Sequence, residues 1–210
     1  MNRNLSSKKQ NTVRILLSVF TLSAMTWLSS CDDEDPVRED VPELITKATL
    51  TFAPEGGGTP VVVTATDPDG DGVEDIEVDG SINLAANKTY TLTLSLVNGL
   101  ASPSDPAYDI TAEVEEEGDE HLFFFAWTNN VFADPAGDGN VDNREDAVNY
   151  NDEDAGGLPL GLSTNWTSAA VASTGTFRVI LKHQPDLKSS TSSSSTGETD
   201  LDLTFTITIQ

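Results

Sequence analysis

The chain has one cysteine, few basic side chains and no apolar run long enough to span a bilayer. A lone cysteine excludes an internal disulfide, so stability has to come from a packed core, with or without bound metal. Eleven Lys and Arg stand against 35 Asp and Glu. Such a chain repels nucleic-acid phosphates, which are bound by Lys and Arg that displace counterions. It attracts cations instead. The apolar stretch Ile15 to Leu28 covers 14 residues, whereas a spanning helix needs roughly 20. Enzyme signatures are missing as well. There is no Gly-x-Ser-x-Gly, no glycine-rich phosphate loop and no His-Glu-x-x-His. Carboxylate pairs are too numerous to single one out for acid–base work. The expectation is a protein that is not an enzyme and has no nucleic-acid partner.

What is present starts at the N-terminus. Arg3, Lys8, Lys9 and Arg14 precede the apolar stretch, which ends in Leu28-Ser29-Ser30-Cys31. Basic, apolar, small and then cysteine is the order of a secretion signal, and it resembles a bacterial lipoprotein precursor. The resemblance implies that residues 1–30 are a signal peptide and that Cys31 is lipidated, with palmitate among the usual acyl chains. Each buried methylene contributes about 0.8 kcal/mol, so two or three chains anchor firmly. Asp32-Asp33-Glu34-Asp35 follows directly. It resembles the acidic export signal of Bacteroidetes surface lipoproteins, which implies an outer-membrane, lipid-anchored, cell-surface location. The plainer reading is that residues 31–42 are an acidic, self-repelling tether. Beyond residue 30, seven basic residues face 35 acidic ones, a formal charge of −28.

Residues 43–210 are expected to form a single domain, since this length suffices for one buried core. Period-two alternation dominates it. Tyr90, Leu92, Leu94 and Leu96 interleave with hydroxyl residues, and Leu201, Leu203, Phe205, Ile207 and Ile209 repeat the pattern. Ala48, Leu50 and Phe52 share a face, as do Phe177, Val179 and Leu181 with His183, and Ile110, Ala112 and Val114 read as another strand. The segments 60–66 and 122–127 are apolar on both faces, which places them centrally or under a loop. Gly56-Gly57-Gly58, Asn98-Gly99, Pro103 and Pro106 punctuate the runs. Seven to nine strands at this spacing point to an all-β, immunoglobulin-like β-sandwich, with a small β-barrel as the alternative. The acidic stretch 129–162 is long for a loop, and loops of that length are usually functional or disordered. The hydroxyl run 189–195 reads as a flexible loop.

Three groups of residues can carry chemistry. Asp67, Asp69 and Asp71 alternate before Gly72, with Val73 offering a carbonyl and Asp75 at the ninth position, an arrangement of hard oxygens that suits calcium. The twelfth position, a bidentate Glu in an EF-hand, is Val78. The bland reading is an acidic turn, for which Asp-Pro and Asp-Gly are ordinary choices. Asp138, Asn140 and Asp142 repeat the spacing in the long loop, where a solvated loop is the plainer account. His121 opens one strand and His183 closes another, with Glu117 and Glu120 close to the first. Imidazole with carboxylate suits zinc or another transition metal. The sequence does not show whether the histidines meet, and two separate histidines with ordinary hydrogen bonds is the simpler reading. Phe123, Phe124, Phe125 and Trp127 read as core, and Tyr150 and Trp166 flank the long loop.

Leu50-Thr51-Phe52 with the triple glycine, the Asp67–Gly72 loop, Asp119-Glu120-His121 before the Phe run, Gly137–Asn140, Leu158–Leu162 and Leu181–Pro185 resemble a family of Bacteroidetes surface lipoproteins. Some members carry a type 1 periplasmic-binding label. That fold alternates strands and helices in two α/β lobes, which this pattern does not. The expected function is a lipid-anchored surface protein that captures a ligand or metal ion, with an outer-membrane transport receptor as partner. The alternative is a calcium-stabilised structural or adhesion module.

Overall fold

The computed structural model describes residues 43–70, 75–142 and 147–210. The signal peptide, Cys31 and the tether lie outside the described residues, as do Asp71 and Val73 of the first acidic loop. The described chain is all-β and forms two sheets. Its strands are β1 (Lys47–Pro54), β2 (Val61–Thr66), β3 (Glu77–Asp79), β4 (Ile82–Leu84), β5 (Thr89–Val97), β6 (His121–Trp127), β7 (Phe132–Asp134), β8 (Asn149–Tyr150), β9 (Ser163–Ser168), β10 (Ser173–His183) and β11 (Glu198–Ile209). One sheet runs β3-β2-β1-β5-β9-β7, with β8 also paired to β9, and curls into a half-barrel. The other runs β4-β11-β10-β6. Eleven strands exceed the expected seven to nine, because β3, β4, β7 and β8 are two or three residues long, too short to show a period.

Alternation works as expected where strands are long. Ala48, Leu50 and Phe52 of β1, Leu92, Leu94 and Leu96 of β5, and the alternate residues from Leu201 to Ile209 of β11 are buried in one core. Aromatic rings from both sheets close its centre. Trp166 lies edge-on to Trp127 and to Phe177, both at 5.1 Å, a favoured geometry for ring quadrupoles. Trp166 donates its indole N–H to Thr164 at 2.7 Å and is fully buried, so it is a core residue.

Three expectations are corrected. Ile110–Glu116 is a helix, α1, and not a strand. Asp109 caps it by accepting from the Ala112 N–H at 3.2 Å, as short acidic side chains do at helix starts. Ile110 and Val114 are buried, and a pair four apart shares a face in a helix as well as in a strand. Second, segment 60–66 is not central: Val62 is 55% exposed, and only the short β3 lies beyond β2. Third, the hydroxyl run is a bonded turn. Ser192 is buried, Ser189 N–H donates to it at 2.8 Å, and the Ser194 hydroxyl donates to the Val141 carbonyl.

Segment 122–127 does lie under a loop. Strand β6 sits at a sheet edge, and unpaired edge groups invite aggregation. Here the long acidic loop satisfies them. Phe123 N–H donates to Leu160 O at 2.8 Å, Trp127 N–H to Asp138 O at 2.9 Å, and Asn140 N–H to Phe125 O at 2.8 Å. Gly139 is required at this junction: its φ is 109°, and an added Cβ would lie 2.1 Å from Phe125 O. The loop also covers Leu122, Phe124 and Ile180 with Val141, a second small core.

Candidate metal centre

Antiparallel pairing of β6 with β10 runs from Trp127 opposite Phe177 to His121 opposite His183. Both histidines continue the inward face of their strands, so they meet where the apolar core ends. Their rings stack at 4.7 Å with planes 5° apart. Sequence reasoning placed each at a strand end but favoured separate roles; the register brings them together.

Three segments surround the pair. The first enters β1: Glu43 places Oε1 3.3 Å from His121 Nε2. The second is the turn between α1 and β6. Thr111 stitches α1 to β5 through both the N–H and the carbonyl of Leu96. Beyond it, the Glu117 carbonyl lies 3.1 Å from His121 Nδ1, and Glu120 Oε2 lies 3.4 Å from His183 Nε2. With Nδ1 donating to that carbonyl, Nε2 of His121 is the nitrogen with a lone pair for a metal. The third is the start of β11. Leu181 pairs with Leu201 but Lys182 with Thr199, which leaves Asp200 as the extra residue of a β-bulge, a device that re-aims a side chain. Gly197, at φ 72°, admits this approach, since an added Cβ would meet the His183 carbonyl. The Asp200 side chain is fully buried, with Oδ2 3.9 Å from His121 Nε2.

Two of these groups lack a well-formed hydrogen bond. Among the described residues, His121 Nε2 meets the Glu43 and Asp200 carboxylates only at ion-pair range, and neither Asp200 oxygen has a partner in good hydrogen-bond geometry. Buried polar atoms are nearly always paired, and leaving one unpaired costs about 1–3 kcal/mol. Ligand atoms of Glu43, Glu117, His121 and His183 all lie within 4.8 Å of one another. Tetrahedral zinc with bonds of about 2.0–2.2 Å separates its ligands by roughly 3.3–3.6 Å, so the close pairs already fit. Among the described residues, this is the group of acids and histidines that can hold a metal ion.

The protonation behaviour agrees. Burial pushes the Asp200 carboxyl up to about 6, against the pull of His121 and His183. Burial acts to lower the His121 pKa, but Glu43, the Glu117 carbonyl and Asp200 outweigh it and the net shift is upward. Both groups hold protons more tightly when folded, so their contribution is present at low pH and lost as pH rises. Without metal, the fold should therefore weaken between about pH 4 and pH 7, by on the order of 2–3 kcal/mol from Asp200. Urea midpoints across that range in chelator check this. Asp200→Asn should flatten the profile; an unchanged slope would mean that the general acidity of the chain causes it.

The turn carrying Glu117 and Glu120 is pinned from below. Lys188 Nζ lies 2.8 Å from Asp154 Oδ2 and donates to the Gly118 carbonyl at 2.6 Å, with both side chains buried. Burial raises the Asp154 carboxyl, but Lys188 and the N–H groups of Leu158 and Gly156 outweigh that and hold it below the usual carboxylate range.

Among the described residues, the sequence-predicted calcium residues are not gathered in this way, and Asp71 and Val73 lie outside them. Asp67 Oδ1 accepts from the N–H groups of Asp69 and Gly70 at 3.2 and 2.9 Å, the bonding of an Asx turn. Asp69 and Asp75 are exposed. In the second loop, Asp138 and Asp142 are exposed but Asn140 is buried. Its amide is spent on structure: Oδ1 accepts from Phe125 N–H at 2.9 Å and Nδ2 donates to the Tyr150 hydroxyl at 2.8 Å. Of the predicted transition-metal residues, Glu117, His121 and His183 join the group and Glu120 flanks it. Glu43 and Asp200 were not foreseen. Compared with known proteins, the chain matches no family model, no curated protein and no solved structure.

Proposed function

We propose that this protein binds a divalent transition metal, with zinc as the reference ion, through His121, His183, Glu43 and Glu117, and presents it at the cell surface from a lipid-anchored tether. The observation that carries the reading is the stacked histidine pair beside the buried Asp200 side chain, with Glu43 and Glu117 offering ligand oxygens within 4.8 Å of both rings. Imidazole nitrogen favours zinc, copper or nickel over calcium, which prefers oxygen alone. The position of the centre fits capture: it lies where the apolar core ends, and one of its ligands, Glu43, stands twelve positions after Cys31 in the sequence. The lipobox-like start and the acidic run behind it support the surface location, and an outer-membrane transport receptor is the partner to which captured metal would pass.

The test is titration of the chelator-stripped chain with cobalt, zinc and calcium at fixed ionic strength. Cobalt should give the visible absorption of a site with nitrogen ligands, zinc should displace it, and calcium should not. His121→Ala and His183→Ala should each weaken zinc at least tenfold. Zinc binding that is indifferent to both substitutions would reduce the centre to acidic-surface attraction and refute the proposal.

A further inference from the structure

We infer that a divalent ion in this centre acts as a latch on the start of the domain: it fixes Glu43 to β6 and β10, so that occupancy of the centre sets the mobility of the chain just ahead of β1. This rests on the metal-binding reading above. The ligand group of Glu43, Glu117, His121 and His183 divides between firmly and weakly held elements. His121 and His183 stand opposite each other in paired strands. Glu117 closes α1, where its N–H donates to the Glu113 carbonyl at 2.8 Å. Glu43 has no such support. It lies outside any strand or helix, and among the described residues Glu43, Leu44 and Ile45 bond to no other backbone group. The Glu43 N–H faces the Asp200 carboxylate without a well-formed bond. Firm structure begins at Ile45, which is buried in the core. Next to it, Thr46 N–H donates to the Val97 carbonyl at 3.0 Å, and the Thr46 carbonyl accepts from Asp67 N–H at 2.7 Å. These bonds fix the point from which Glu43 reaches the histidines and leave its carboxylate to be held by the centre alone.

The contact that Glu43 makes needs a cation. A backbone carbonyl only accepts, so the Glu117 carbonyl beside His121 Nδ1 takes a donated N–H there, and the neutral ring carries its lone pair on Nε2. Glu43 Oε1 stands 3.3 Å from that Nε2, and a carboxylate oxygen also only accepts. Two lone pairs facing at this distance repel unless a cation lies between them. An ion with bonds of about 2.0–2.2 Å holds neighbouring ligands roughly 3.3–3.6 Å apart, which is the separation seen. A proton on Nε2 makes the same link, so the ring has to be kept neutral in a test. Ordering a segment costs conformational entropy, and the bond from Glu43 to the ion offsets that cost only while the ion is present.

The test reads mobility and binding on one sample. The full chain is isotope-labelled, stripped with chelator and held at pH about 8.5, about two units above the usual imidazole pKa. Zinc is then added, and backbone order parameters at Glu43 and Leu44 are measured by NMR relaxation. Values below about 0.6 are expected without zinc and about 0.85 at saturation, the levels of flexible and rigid backbone. Gly57, in the exposed triple-glycine turn, belongs to no part of the centre and should not change. Glu43→Ala should take up zinc more weakly through His121, His183 and Glu117, with residues 43 and 44 still mobile at saturation. If that variant fails to fold or to bind, the wild-type comparison decides by itself. Equal order at Glu43 and Leu44 with and without zinc, while calorimetry shows zinc bound, would overturn the latch and leave the metal-binding reading standing. Full ordering in zinc-loaded Glu43→Ala would overturn it too, since the segment would then be fixed without the bond. No zinc uptake by the wild type would overturn both.

Discussion

Zinc at a hundredfold excess over its dissociation constant should stabilise the fold by about 2.7 kcal/mol, because a ligand that binds only the folded state contributes RT ln(1 + [L]/Kd). For a domain of this size that is a rise of roughly 5–10 °C in melting temperature, at about 2–4 °C per kcal/mol. The gain arises because the ion satisfies His121 Nε2 and offsets the crowding of carboxylates around a buried Asp200. Removing either imidazole should abolish most of the shift. Sodium at matched ionic strength is the control, since screening of a chain with formal charge −28 beyond residue 30 also raises stability but spares the histidine variants no differently from wild type. A shift of equal size in His121→Ala and His183→Ala would assign the effect to screening.

Lys188→Ala should cost about 3 kcal/mol, measured as a drop in urea midpoint at constant slope. Breaking a buried ion pair by removing one partner costs about 3–5 kcal/mol, because the other charge stays buried and unpaired. The lower end applies here, since Asp154 keeps its bonds from the Gly156 and Leu158 N–H groups. The same substitution frees the Gly118 carbonyl and loosens the turn that carries Glu117 and Glu120, so zinc affinity should fall about tenfold as well. A double replacement, Asp154→Asn with Lys188→Met, removes the unpaired charge and should recover part of the stability while leaving affinity low. A loss under about 1 kcal/mol for Lys188→Ala would show that the pair is open to water.

The sandwich was legible because long half-buried strands write their burial in period two. Leu92, Leu94 and Leu96, or Leu201 to Ile209, have no other economical reading. The helix was hidden because Ile110 and Val114 share a face under either period; only Asp109 at the cap and Pro106 ahead of it pointed to a helix. The both-faces-apolar β6 declared that something covered it, and the long acidic loop proved to be that cover. The acidic loops were ambiguous for a related reason: alternate acids mark turns as readily as calcium sites. Asn140, whose spacing looked like a ligand, spends its amide on Phe125 and Tyr150 at the edge of β6.

The candidate metal centre was half legible. His121 and His183 mark strand ends, and the nearby Glu117 and Glu120 follow from sequence proximity. Their meeting depends on the β6–β10 register, which a single sequence does not display. Asp200 looked like an outward residue in the alternation of β11, and only the bulge opposite Leu181 and Lys182 turns it inward. Glu43 had no local signal at all, being the first residue after the acidic segment.

The most direct test of the central claim is zinc-edge X-ray absorption on the zinc-loaded chain. The account predicts a first shell of nitrogen and oxygen at about 2.0–2.1 Å with the outer-shell scattering of imidazole, lost when His121 and His183 are both replaced by alanine. A shell of oxygen alone, unchanged by that double replacement, would contradict it.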